Sequence, residues 1–164
     1  MSTVLISFLG ASNYKRVRYR LRKVTTGAEE RYAPAAIVDC LGQEGQAVER
    51  AAVVVTEAAR NMHWSALRDR LDQLGVEAGA VDIPDGSNDH ELWQIFARLG
   101  EQVDPGETVI VDPTHGFRSL PVIGVLALAF FRHLRKAELG GVYYGAYEAR
   151  AKHDGVAPIF DLTP

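Results

Sequence analysis

Residues Val109 to Pro121, "VIVDPTHGFRSLP", bring together groups suited to holding an anion. Asp112 ends an apolar run, Gly116 lets the backbone come close to a ligand, and Thr114, His115 and Arg118 add donors matched to phosphate oxygens. A helix expected to start near Ser119, with Pro121 in its first turn, adds the unpaired N–H groups and partial positive charge of its N-terminus. Several of these groups also have a purely structural use. Thr114 can close the loop on its own backbone, His115 can be a structural hydrogen-bonder, and Phe117 can belong to the core rather than stack on a base. For Arg118 the structural use is weaker, because a charge between a strand and an apolar helix must meet an anion or water. Phosphate is the ligand this chemistry favours.

A second loop has matching chemistry. "GASNY" supplies Gly10 for a turn, Ala11, Ser12 and Asn13 as small groups, and Tyr14 as a stacking surface. Directly after it, "KRVRYRLRK" (Lys15 to Lys23) carries six of the 18 basic residues and no acid, leaving 12 basic groups against 21 acidic in the remainder. Charge neutralisation and base stacking are the two general sources of nucleotide affinity, so the pair of features suggests a nucleotide polyanion. The competing reading of the arginines is a solvated hairpin face. The net charge of −3 argues against bulk coating of nucleic acid.

Other chemistries lack their signatures. Neither GxGxxG nor GxxxxGK[ST] occurs, and Cys40 sits in the apolar "AIVDCLG" with no serine in a GxSxG elbow. His63, His90, His115, His133 and His153 have no metal-ligand spacing, so neither a metal nor a cofactor is expected. The single cysteine and the lack of a charged-then-apolar leader point to a reducing cytoplasm. Leu120 to Phe131 is the longest apolar run, short of the roughly 20 residues that cross a bilayer, so no membrane contact is expected.

The elements that must position these loops follow from hydropathy. Apolar runs at Thr3–Leu9, Ala51–Thr56, Val76–Pro84, Glu107–Pro113 and Leu139–Tyr147 read as strands, the first covered on both faces. Between them, Trp64, Leu67, Leu71 and Leu74 share one helical face that stops at Gly75. Asn88 caps a second helix, with Glu91 completing a capping box and Leu92, Ile95, Phe96 and Leu99 facing inward; Trp93 and Phe96 are both assigned to the core. Val17, Tyr19 and Leu21 alternate with arginines, giving a strand that Thr25-Thr26-Gly27 turns into a hairpin. The fold class is therefore α/β and Rossmann-like: one domain over residues 1–164, a mainly parallel sheet with helices on both faces, and a β-hairpin inserted after the first strand. In such sheets ligands bind beyond the carboxyl ends of the strands, where both loops fall.

"VLISFLGASNY", "IPDGSNDHELWQIF", "VIVDPTHGFRSLP" and "PIFDLTP", in that order, resemble the CARF (CRISPR-associated Rossmann fold) family, near the branch marked by a Thr-x-Gly-Phe-Arg-x-Leu-Pro loop. The resemblance covers nearly the whole chain. It implies a homodimeric cytoplasmic sensor of cyclic oligoadenylate, the messenger of type III CRISPR complexes, with cyclic tetra-adenylate as the expected ring. On this sequence the ligand-grasping loops would be Gly10 to Tyr14 and Asp112 to Arg118. An isologous dimer offers each half of the ring the same donors, and the apolar helix "LPVIGVLALAFF" is the candidate dimer surface, with a purely intramolecular role as its alternative. In the family an effector domain usually follows; here the sequence stops at "DLTP", so that domain is expected to be absent or removed. Acting alone, the protein would be a metal-independent ring nuclease, served by Arg118, His115 and Ser12 through orientation and charge stabilisation rather than a protein nucleophile. A nucleic-acid-binding regulator working through "KRVRYRLRK" is the third reading.

Overall fold

The computed structural model describes residues 2–116 and 119–164. Strand β1 (Thr3–Leu9) divides its side chains between two cores, because successive residues of a strand point to opposite faces. Leu5 and Leu9 join one cluster, and Val4, Ile6 and Phe8 the other. Ser7 follows the parity of Leu5 and Leu9 and is fully buried.

Eight strands form one sheet. With β2 (Tyr19–Leu21), β3 (Val24–Thr25), β4 (Arg50–Val55), β5 (Glu77–Asp82), β6 (Thr108–Asp112), β7 (Glu138–Gly145) and β8 (Ala157–Asp161), the order is β3-β2-β8-β7-β6-β1-β4-β5. The pairs β1–β4, β4–β5, β1–β6, β6–β7 and β2–β8 are parallel; β7–β8 and β2–β3 are antiparallel. After β1 the chain adds the β2–β3 hairpin at one edge of the sheet, crosses to β4 and β5 at the other, then returns to lay β6 on the far side of β1. That reversal opens a crevice at the carboxyl ends of β1 and β6.

Helices α1 (Ala33–Gln43) and α3 (Ser65–Gln73) cover one face, packing Ile37, Leu41, Leu67 and Leu71 against β1 and β4. Helices α4 (Asp89–Gly100) and α5 (Leu120–Leu134) cover the other with Ile95, Leu99, Leu128 and Phe131. Burying a ring such as that of Phe131, 2% exposed, stabilises the fold by roughly 2 kcal/mol. Gly124 sets how closely α5 approaches the sheet: a Cβ there would lie 2.9 Å from the ring of Phe8.

Several expectations need correction. The hairpin turns at Arg22-Lys23, where Arg22 takes φ 55°, while Thr25 belongs to β3 and Thr26 lies beyond it. The hairpin does follow the first strand, and β2 pairs with β8 to extend the main sheet. Val17, Tyr19 and Leu21 do face inward, at 7%, 1% and 0% exposure. Trp93 is not in the core: at 70% exposure it lies off the inward stripe of α4, while Phe96 is partly buried. Asn88 caps α4 by accepting from Glu91 N at 2.9 Å, but the Glu91 carboxylate reaches Ser87 N and Oγ, one residue beyond a capping box. Helix α1 and strand β8 were not anticipated.

Candidate functional site

Parallel pairing places Ser7 of β1 opposite Asp112 of β6, on the face covered by α1. Ser7 Oγ donates to Asp112 Oδ2 at 2.8 Å. Thr114 N donates to Oδ1 at 3.0 Å, and the Thr114 hydroxyl donates to the same oxygen. Thr114 Oγ1 in turn accepts from Gly145 N at 2.9 Å, joining the loop after β6 to the end of β7. Burial pushes the Asp112 carboxyl up to about 6, against the lowering effect of its Thr114 and Ser7 donors. Asp112 is therefore a buried brace. It positions the loop and does not line either neighbouring cleft.

His115 has a defined tautomer. Ala33 N, at the first residue of α1, donates to Nε2 at 2.9 Å, so the ring proton sits on Nδ1. Burial, with His63 nearby, lowers its pKa to about 3 and keeps the imidazole neutral. It stacks on Tyr14, with centroids 3.9 Å apart and planes tilted 35°. Tyr14 thereby joins the two loops, while its hydroxyl accepts from Gly10 N at 2.9 Å.

His63 completes the arrangement. It lies in a π-helical turn (Arg60–Trp64) between α2 (Glu57–Ala59) and α3, and is 1% exposed. Its Nε2 donates to the Ser12 carbonyl at 2.6 Å, and Nδ1 accepts from the Tyr32 hydroxyl at 3.0 Å. Inserted π turns often mark functional sites, and here the turn aims an imidazole at the loop after β1. In the sequence His63 is one of five scattered histidines, and no local spacing reveals a bond spanning 51 residues.

Gly116 lines one of the clefts and also has a packing role in the loop. A Cβ there would lie 2.9 Å from Pro121 Cγ and 3.1 Å from Pro113 O, so only glycine fits between the two prolines. Its N–H closes a turn onto Pro113 O at 3.0 Å, and the Thr114 N–H is taken by Asp112. These two amides serve the loop itself. Phe117 and Arg118 lie outside the described residues.

Two clefts flank the Tyr14–His115 stack. One, of about 450 Å³, is lined by Gly10, Ala11, Ser12, Thr56, Gly116 and the stacked pair. The other, of about 370 Å³, lies toward the end of β7 and includes Asn13, Lys15, Arg31, Tyr147 and Arg150. Every described residue of the two predicted loops except Asp112 and Pro113 lines at least one of these clefts. The rest of the cationic strand behaves otherwise. Arg18 and Arg20 bond within their own hairpin to Thr26 O and Thr25 Oγ1, and Arg22 is tied to Glu44 and Asp161. Among the described residues no group of three or more His, Cys, Asp or Glu converges as a metal site.

Comparison with known proteins places the chain beside a CRISPR-associated protein. Over 82 residues, 48% of its length, the chain is 34% identical to a CRISPR-associated protein of Methanocaldococcus jannaschii. The aligned stretch takes in 13% of that protein, so the likeness concerns a small part of it. No family model matches the chain. Among the described residues no helix is long and apolar enough to cross a membrane.

Proposed function

We propose that the chain is a CARF-type sensor that binds cyclic oligoadenylate, with cyclic tetra-adenylate as the preferred ring, at the interface of a homodimer in CRISPR defence. The observation that carries the proposal is the meeting of both loops, through Tyr14 on His115, around one open cleft at the carboxyl ends of β1 and β6. A crevice at a strand-order reversal is where such sheets take ligands. The likeness to a CRISPR-associated protein supports the biological setting. Exposed apolar side chains on α5, including Val122, Val125 and Leu126, supply a surface for a second copy.

Receptor is favoured over ring nuclease because the imidazole lone pairs at the site are committed, His115 Nε2 to Ala33 N and His63 Nδ1 to the Tyr32 hydroxyl. Neither is poised as a general base, so cleavage would depend on orienting a ribose 2′-hydroxyl alone. The nucleic-acid-regulator reading loses support from the engagement of Arg18, Arg20 and Arg22 in local bonds.

A thermal-shift panel of cyclic tri-, tetra- and hexa-adenylate tests the proposal. The tetra-adenylate ring should raise Tm most, and Arg118→Ala should abolish most of the rise. A panel with no shift for any ring size overturns the reading. Linear di-adenylate appearing in chelator would instead establish the nuclease.

A further inference from the structure

The cleft of about 370 Å³ beside the Tyr14–His115 stack stands out by its charges. Across the molecule Arg22, Arg50, Arg60, Arg68 and Arg70 each meet a carboxylate. Among the described residues several other basic groups, Arg18 and Arg20 for example, meet no carboxylate, but Lys15, Arg31 and Arg150 share that condition and line one cleft together. They come from three separate places: the loop after β1, the approach to α1, and the 3₁₀ helix (Tyr147–Lys152) after β7. Three cations against one lining carboxylate, Glu148, leave this cleft with an excess of positive charge that an anion would relieve.

The cleft is also preorganised. Arg31 Nε donates to Tyr14 O at 3.2 Å, which leaves its two terminal nitrogens for another acceptor. Arg150 lies 3.9 Å from the Tyr147 ring centroid and donates from Nη1 to Tyr147 O at 3.0 Å, which fixes the guanidinium over the ring. The lining carboxylate, Glu148, accepts from the Tyr144 hydroxyl at 2.6 Å. Cations held beside tyrosine rings match a phosphate attached to a flat, stackable base better than either part alone.

We propose that this second cleft is a nucleoside-phosphate subsite, in which Lys15, Arg31 and Arg150 hold a phosphate and the neighbouring tyrosine rings pack against its base. It rests on the cyclic-oligoadenylate reading for the identity of the whole ligand, which then spans the Tyr14–His115 stack with a phosphate on either side. The cleft itself is independent of that identity, and AMP is its probe.

The test measures Kd for cyclic tetra-adenylate and for AMP by calorimetry, in the full chain and in Lys15→Gln, Arg150→Gln, Arg150→Lys and the Lys15→Gln/Arg150→Gln double variant. Lys15 is exposed, so its substitution leaves the fold intact. The double variant should raise Kd at least tenfold for both ligands, Arg150→Lys should recover most of the loss, and the salt dependence should flatten by about 0.7 per phosphate contact removed. AMP should bind more tightly than adenosine. Unchanged ring affinity in the double variant, with the wild type binding normally, overturns the subsite while leaving the sensor reading intact. If the wild type binds no ring, the sensor reading falls. The subsite then stands on AMP binding that the double variant loses, and is overturned if AMP does not bind.

Discussion

The two faces of the sheet are finished in different ways. On the α1–α3 face the polar groups find partners inside the protomer: Glu30, 3% exposed, takes a forked bond from Arg70, and His63 is held by Tyr32 and Ser12. On the α4–α5 face an apolar groove of about 480 Å³ between Trp93, Phe96, Leu126 and Phe130 stays open, with Trp93 70% and Leu126 56% exposed. A large apolar surface left open to water is costly, and α5 leads directly out of the loop after β6. The closed face fixes the loops; the open face offers a second copy a place to sit.

The largest break in this contrast comes from the closed face. Leu67→Ala, at a fully buried position, should lower the unfolding free energy by roughly 4 kcal/mol in urea titration. A loss under about 1 kcal/mol would mean that the α1–α3 face is not tightly packed.

Next comes Asp112. Its pKa is about 6 in the folded chain against an ordinary 3.8, so the native state holds a proton that the unfolded chain releases. The stability this confers is fully present below about pH 3.8 and lost as pH rises through 6, a change of about 3 kcal/mol. Asp112→Asn stays neutral and should lack that slope. Because His115 runs the opposite way, losing its contribution as pH falls from 6.5 toward 3, the difference between wild type and variant is the quantity to measure. Identical profiles would show that the Asp112 proton is not linked to folding.

A smaller effect sharpens the open face. Gly124→Ala forces a Cβ against Phe8 and should cost about 2 kcal/mol by thermal unfolding, because α5 must lift from β1. Smallest for the protomer is Leu126→Ser, which should change its stability by less than about 0.5 kcal/mol. In sedimentation the same variant should dissociate the proposed dimer. A variant that remains a dimer moves the interface elsewhere.

Legibility tracked the range of the interactions. Strand β1 is readable at both ends because its apolar run stops at Gly10, and α4 because Asn88 caps it within three residues. Helix α1 hides for the converse reason. Its N-cap, Tyr32, provides no side-chain bond, and the first N–H is met by the imidazole of His115, 82 residues away. Strand β8, Ala-Pro-Ile-Phe-Asp, is broken by Pro158 and offers no β-branched run like that of β6, and its place follows from pairing with both β7 and β2. Trp93 was misplaced because hydropathy alone sent it inward, whereas the 100° step from Leu92 turns it toward the open groove.

The sequence by itself determined most of the strands, the helices α3, α4 and α5, and which loops fall at the carboxyl edge, because hydrophobic period and local capping act over a few residues. Only the tertiary structure decided which groups meet there. Strand order brings Ser7 to Asp112, Tyr14 to His115 and His63 to Ser12, and gathers Arg31 and Arg150 around one cleft. Such contacts depend on the order in which strands pair, and no local spacing encodes that order.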